Sequence, residues 1–537
     1  MFTSRVYEQG NADMWTMTFR MILIGAVVWG APASAQNVNA LRTAPERTDF
    51  RETSTYDDVM HWVETVGAAS PVMHVDTFGY TLDGRALPLV TIARGLSGWT
   101  PEAVRASGKT VIYLQGNIHA GEVEGKESLL MLLREFAQGE HQQLLDSLVI
   151  LVAPIYNADG NERVLLTNRG GQHGPVGGMG QRPNAQDYDL NRDHIKLDSP
   201  EARSLVQMMT SYDPHVGVDL HTTNGTRHAY HLTYSPPLHP NTARQITSLL
   251  REDWLPSMTR TIRAKHGWDY YYYGNLQGQG DERGWYTFDH RPRFNNNYIG
   301  LRNRIAILSE AYSYATFEDR ILATSYFVDE ILAYAHAHAT RIRETVAAAA
   351  AAPVIGQRLA VRAGYERAPE LTTILMGDVV EDRNPFSGAT MLRRTDTRTP
   401  TPMPEYGTFT GTEFEVAPAR YIVLETTPQL LANLGAHGVR YDDVASATRM
   451  QGQTFRLDST SVTPRPFQGH QERTVHGAWV DAMIDVPAGA IAISMDQPLA
   501  RLLFTLLEPR SDDGLVNWNY FDRAIEGGRV PIARLLR

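Results

Sequence analysis

The chain has 537 residues, of which 42% are hydrophobic and 20% charged, with 43 glycines, 29 prolines and no cysteine. Apolar content at that level supports a large core, and the length suits two or three domains rather than one. Against 60 Asp+Glu there are 50 Lys+Arg, so the net charge of −10 leaves no chain-wide basic footprint and nucleic acid is not an expected partner. Without cysteine there are no disulfides, thiol nucleophiles, iron–sulfur clusters or thiolate zinc sites, and a transition metal must sit on His, Asp or Glu.

Residues 17–35 read MTFRMILIGAVVWGAPASA: Arg20, an apolar run from Met21 to Trp29, then Ala33-Ser34-Ala35. That layout is a secretory signal peptide ending at Ala35, and its apolar run falls far short of the ~20 residues a spanning helix needs. No later stretch is long and apolar enough to cross a bilayer, so the expectation is an exported protein, periplasmic or secreted, with no membrane span after cleavage.

From about residue 50 to 345, strand-like apolar runs alternate with helical segments, which predicts an α/β domain with a parallel or mixed sheet. Strands are expected at 110–114, 147–153, 215–220 and 305–309. Helices are expected at 126–137, from Ser199 (cap) and Pro200 (first turn) to about 212, and from 317 into the 340s. The alanine run 347–352, stopped by Pro353, marks a boundary. Beyond it, short apolar runs such as 420–424 and 490–493, broken by Pro, Gly and Asp, predict a smaller β-rich domain over 353–537 with a helix at 429–434.

After the first strong strand comes Gly116-Asn117-Ile118-His119-Ala120-Gly121-Glu122. A lone His-x-x-Glu is common by chance, but the carboxyl end of a parallel strand is where α/β folds place ligands, and small residues between the two let both side chains converge. A catalytic zinc keeps three protein ligands and one open position. His221 in Asp219-Leu220-His221 ends another short buried strand and supplies the third. Metal-assisted hydrolysis also needs a base. Glu310 follows the apolar strand 305–309, where a carboxylate is either solvated at the strand end or faces a polar cleft. Asn191-Arg192 sets an amide beside a planar guanidinium suited to a carboxylate, although such a pair is often only a surface feature.

Taken in order, His119-Ala120-Gly121-Glu122, Asn157-Ala158-Asp159-Gly160, Asp189-Leu190-Asn191-Arg192, Asp219-Leu220-His221 and Glu310 resemble the carboxypeptidase A-like zinc metallocarboxypeptidases over roughly residues 55–345. The resemblance implies an α/β/α sandwich around a mixed, mostly eight-stranded sheet. It implies one Zn2+ per chain on His119, Glu122 and His221, with Glu310 as general base and then proton donor to the leaving amine. Asn191 and Arg192 would clamp the terminal carboxylate of a peptide. A further arginine would polarise the scissile carbonyl. Arg182 is assigned that role with Arg169 as the alternative, because the glycine-rich insertion 170–180 falls where the family's arginine lies. That insertion lacks the Lys-Ser/Thr ending of a phosphate-binding loop and reads as a flexible rim. Tyr298 is assigned as the substrate-contacting tyrosine, and the run Tyr270–Tyr273 falls within the family's pocket region.

The end of the chain, from Gln497 to Trp518, is similar to exported bacterial members of the family. Structural support is the preferred role for 353–537, and exposed Trp518 and Tyr520 would be the only hint of carbohydrate or cell-wall binding. The sequence predicts a signal peptide at 1–35, a catalytic domain at 36–352 and a β-rich accessory domain at 353–537. The activity expected is removal of the C-terminal residue from peptides. An amidase or deacylase acting on acyl-amino acids or peptidoglycan peptides is the alternative, and an inactive exported binding protein is a third reading.

Overall fold

The structure, a computed structural model, describes residues 38–223 and 225–536. The expected signal peptide lies outside the described residues. Eight strands form one mixed sheet: β1 (Met73–Tyr80), β2 (Ala86–Ile92), β3 (Thr110–Gly116), β4 (Leu148–Ala153), β5 (Val216–Thr222), β6 (Leu232–Ser235), β7 (Tyr270–Tyr272) and β8 (Ile305–Ala311). Their order is β1-β2-β4-β3-β5-β8-β6-β7. The central β4-β3-β5-β8 set is parallel, while β1, β2 and β6 join antiparallel to their inner neighbours. Strands β3, β4 and β5 are buried at every position. Both faces of the sheet are covered, which is why they read as unbroken apolar runs rather than as alternation.

Two glycines show how the layers close. A Cβ on Gly125 would lie 2.6 Å from the Leu220 side chain, and one on Gly217 would lie 2.7 Å from that of Ile299. Leu220 and Gly217 are three apart on β5, so they face opposite sides. Helix Glu124–Ala137 therefore covers one face and helix Asn295–Leu301 the other. Trp62 in helix Tyr56–Ala69 donates to Leu130 O at 2.8 Å, and Ser325 in helix Phe317–Ala337 meets Ser128 at 2.8 Å, which places both on the first face. Arg302 donates to Thr210, which brings helix Pro200–Tyr212 to the second. The helices after β3 and β4 thus leave the sheet on opposite sides. The carboxyl ends of β3 and β5 open a crevice there, as at other topological switch points.

Helix Ala339–Ala351 ends ahead of Pro353, and the region beyond is β-rich. Its largest sheet has six strands, all paired antiparallel, built around the long hairpin Thr448–Val462 and Arg473–Val486. The helix at 429–434 is found as Pro428–Ala436. One buried apolar cluster runs from Val59 through the central sheet to Ile532, and helix Ala500–Leu507, buried along its whole length, is part of it. Trp518 is buried, contrary to its expected exposure, and its indole donates to Asp513 at 2.9 Å. Tyr520 donates to Lys196 O at 2.8 Å. The Trp518 ring is therefore not available for the carbohydrate contact it suggested, and Tyr520 is only half-buried.

Candidate active site

After β3 the chain turns sharply because Asn117 adopts a left-handed φ of 66°, a conformation asparagine tolerates better than most residues. A turn follows, in which Glu122 N donates to His119 O at 2.9 Å, and it brings the two side chains to one side. Parallel pairing sets Glu310 of β8 opposite His221 of β5. Three strand ends thus deliver His119, Glu122, His221 and Glu310 to one cleft of about 490 Å3.

His119 Nδ1 lies 3.1 Å from Glu122 Oε1 and 3.2 Å from His221 Nδ1, and His221 Nδ1 lies 3.0 Å from Glu122 Oε2. The far nitrogens face carboxylates: His119 Nε2 is 3.0 Å from Asp189 Oδ1, and His221 Nε2 is 2.9 Å from Asp219 Oδ2. A proton on each Nε2 leaves each Nδ1 with a bare lone pair, aimed with the Glu122 carboxylate at one point. Two lone pairs and an anion so close together repel unless a positive charge sits among them. Electrostatics agree. Burial works to lower the His221 pKa, yet Asp219 and Glu122 hold it well above the usual imidazole value; the Glu122 carboxyl stays well below its own despite burial, held there by His119 and Arg169. Two nitrogens and one carboxylate oxygen around a point with an open side fit a catalytic zinc.

Burial, and then the charge of Glu122, raise the Glu310 pKa to about 8, while His221, Arg169 and Arg182 pull it down. A carboxyl tuned toward neutrality suits proton transfer in both directions. Arg182 lines the cleft, its Nε and an Nη gripping Asp189 Oδ2 at 3.0 and 2.8 Å and its other Nη 3.3 Å from His119 Nδ1. Arg169 is more enclosed. It donates to Glu122 Oε1 at 2.8 Å and to the carbonyls of Thr222 and Thr223, so it braces the ligand loop. Arg192 lies over the Phe294 ring at 3.7 Å, and its pKa is lowered by burial. Asn191 sits beside it with Oδ1 accepting from Asn295 N at 2.8 Å, and both line the cleft.

Two expectations change. Tyr298 does not line the cleft: it is fully buried in helix Asn295–Leu301, its hydroxyl 2.8 Å from His437 Nδ1 and accepting from Arg302. The tyrosine in the cleft wall is Tyr273, whose pKa is raised by burial and then by Glu310. The 170–180 insertion is not a loose rim. Arg320 donates to the carbonyls of His173 and Gly174, Gln181 N to Gly160 O, and Met179 is buried.

Sequence reasoning gave no role to Asp189, Asp219 or Phe467, and it placed Tyr273 only as part of the run 270–273 in the pocket region. Asp219 was recoverable, since a residue two before His221 on a strand shares its face. Phe467, from the β-rich region, had no local signal at all, yet it lines the cleft.

The model of a family described as zinc carboxypeptidase matches residues 59–290, a span that includes the three metal ligands and stops short of Glu310. Carboxypeptidase 2 of Trichophyton tonsurans is 25% identical over 482 residues, covering 84% of this chain and 81% of that one. Carboxypeptidase 2 of Trichophyton rubrum is 24% identical over 488 residues, with the same coverage of 84% and 81%. Carboxypeptidase D of Rattus norvegicus is 31% identical over 147 residues, 24% of this chain and 11% of that one.

Proposed function

We propose that this chain, which belongs to the zinc carboxypeptidase family, releases single residues from the C-terminal end of peptides that carry a free carboxylate. It is a zinc-dependent peptide hydrolase. The observation that carries the finer reading is the meeting, in one cleft, of the three metal-facing donors, Glu310 and the Asn191–Arg192 pair. Zinc, held by His119, Glu122 and His221, supplies a Lewis-acid centre that polarises a carbonyl and acidifies water. Glu310 takes the proton of the attacking water and returns it to the leaving amine. Arg182 donates toward the carbonyl oxygen as negative charge develops on it. Asn191 and Arg192 hold the terminal carboxylate, with Arg192 stacked on Phe294 so that its planar fork is fixed before substrate arrives. Asp189 and Asp219 keep the two imidazoles in the ligating tautomer.

Residues 36–352 carry the chemistry in this reading and 353–537 form an accessory region. The Met17–Ala35 pattern supports export to the periplasm or the medium, and no helix among the described residues is long and apolar enough to cross a membrane. The Asn191–Arg192 pair would equally hold an acyl-amino acid, so the decisive experiment compares a peptide with its C-terminally amidated form. Loss of cleavage on amidation is the expected result, and cleavage of acyl-amino acids in preference to peptides would move the assignment to a deacylase. Glu310→Gln should retain one zinc per chain and lose about 10²–10⁴-fold in kcat; full activity in that variant overturns the role of Glu310.

A further inference from the structure

The cleft has a wall that comes from outside the catalytic half. Strands Thr448–Val462 and Arg473–Val486 form a long antiparallel pair, and the segment joining them ends in a tight turn. Phe467 N donates to His470 O at 2.7 Å, and His470 N donates back to Phe467 O at 3.0 Å. Between them Gln468 and Gly469 have φ of 49° and 86°, the two positive values that a two-residue hairpin turn requires. This tip presents Phe467, a large apolar ring still 36% exposed, to the cleft.

Several partners of the tip come from the segments that flank Arg192 and Phe294. His470 Nε2 lies 2.8 Å from Asp198 Oδ2, and its Nδ1 lies 3.0 Å from Asn519 Oδ1. A Cβ on Gly469 would lie 3.5 Å from the hydroxyl of Tyr188, four residues before Arg192. The Arg293 guanidinium lies 5.9 Å from the Phe467 ring and is bonded to Asp513 and Glu472, while the next residue, Phe294, is the platform under Arg192. The tip is therefore fixed to both the loop that carries the carboxylate clamp and the segment that supports it. It stands as a braced face in the same cleft as Arg192.

We propose that Phe467 is the end wall of the cleft: a specificity-determining residue that bars groups extending past the carboxylate held by Arg192. The proposal rests on the carboxypeptidase reading and deepens it. A charge clamp alone favours a carboxylate, because an uncharged end gives up the charge-assisted pair with the guanidinium. A wall behind the clamp adds a steric refusal of any chain that continues, and two such terms discriminate better than one. On this account the β-rich region takes part in deciding which peptides are cut.

The test uses the full chain with zinc and a peptide prepared as free acid, as C-terminal N-methylamide and with one added glycine. The readout is the ratio of kcat/KM for free acid to that for each extended form, with products identified by mass. Phe467→Ala should lower the free-acid to N-methylamide ratio on the order of tenfold and release some Xaa-Gly dipeptide from the glycine-extended peptide. Phe467→Leu, which keeps most of the bulk, should retain the wild-type ratio. An unchanged ratio in Phe467→Ala, or equal loss in Phe467→Leu, overturns the wall while leaving the exopeptidase intact. A wild-type enzyme that cuts the N-methylamide as fast as the free acid overturns the exopeptidase reading and the wall together.

Discussion

Asp219 donates no atom to the metal position, yet it determines which nitrogen of His221 can ligate. Its Oδ2 lies 2.9 Å from His221 Nε2 and accepts from Asn295 Nδ2 at 3.1 Å, and its Oδ1 accepts from Gln115 Nε2 at 3.1 Å. Burial would raise its pKa, but the charge of His221 holds it below the ordinary carboxylate value. Asp219→Asn keeps the shape and removes the charge, so zinc affinity should fall about 10–100-fold, read by chelator competition. Affinity equal to wild type would mean that the imidazole is oriented by packing alone. The four residues that meet the metal position or face it were legible because strand ends have fixed geometry: position after an apolar run says where the side chain goes. Tyr298 was misplaced because the sequence around it was not read as a helix. Asn296 lines the cleft, and on helix Asn295–Leu301 a residue two further on points roughly 200° away, into the core beside His437.

At the scale of elements, the hairpin tip depends on the contact between His470 and Asp198. Both side chains are largely enclosed, and Lys196 lies 3.0 Å from the same Asp198 oxygen. The His470 pKa is raised, first by its bond to Asp198 and against both burial and Lys196. A group whose folded pKa is raised contributes stability that is complete below its unfolded value of about 6.5 and is lost as pH rises through the folded value. His470→Gln should therefore lower Tm most at acid pH, by on the order of 1–2 °C. The gap from wild type should narrow as pH rises; a gap that is constant with pH would show a neutral hydrogen bond only. The hairpin itself was not predicted, because its strands are half exposed and polar and lack a continuous apolar run. The central strands were found for the opposite reason: burial on both faces leaves a continuous apolar run. The long helix from 317 was expected to continue unbroken, but the backbone departs from helix at His338, where φ is −119°, and resumes as Ala339–Ala351.

For the whole molecule, the alanine run before Pro353 reads in sequence as a seam between two domains, while the packing across it reads as one core. Tyr298 meets His437, Asn433 donates to Ile195 O at 2.9 Å, Arg293 bonds Asp513 and Arg501 donates to Asn241 O at 3.1 Å. Each joins a buried polar group of one half to the other, and such groups are costly to strand. The helix Ala500–Leu507, buried throughout, belongs to the same apolar cluster as the central sheet. Two lobes joined by a small wet interface unfold separately, whereas lobes sharing a core and its buried hydrogen bonds unfold together. Calorimetry of the zinc-loaded chain should therefore give one transition with a calorimetric-to-van't Hoff enthalpy ratio near one. A chain ended at Ala352 should lose near-ultraviolet circular dichroism and bind a hydrophobic dye, because the partners of Asn241, Ile195 and Arg293 are gone. Two resolved transitions, with the truncated chain keeping the lower or the upper one intact, would make 353–537 a separable module. The hairpin bearing Phe467 would then be docked on the cleft from outside rather than built into it.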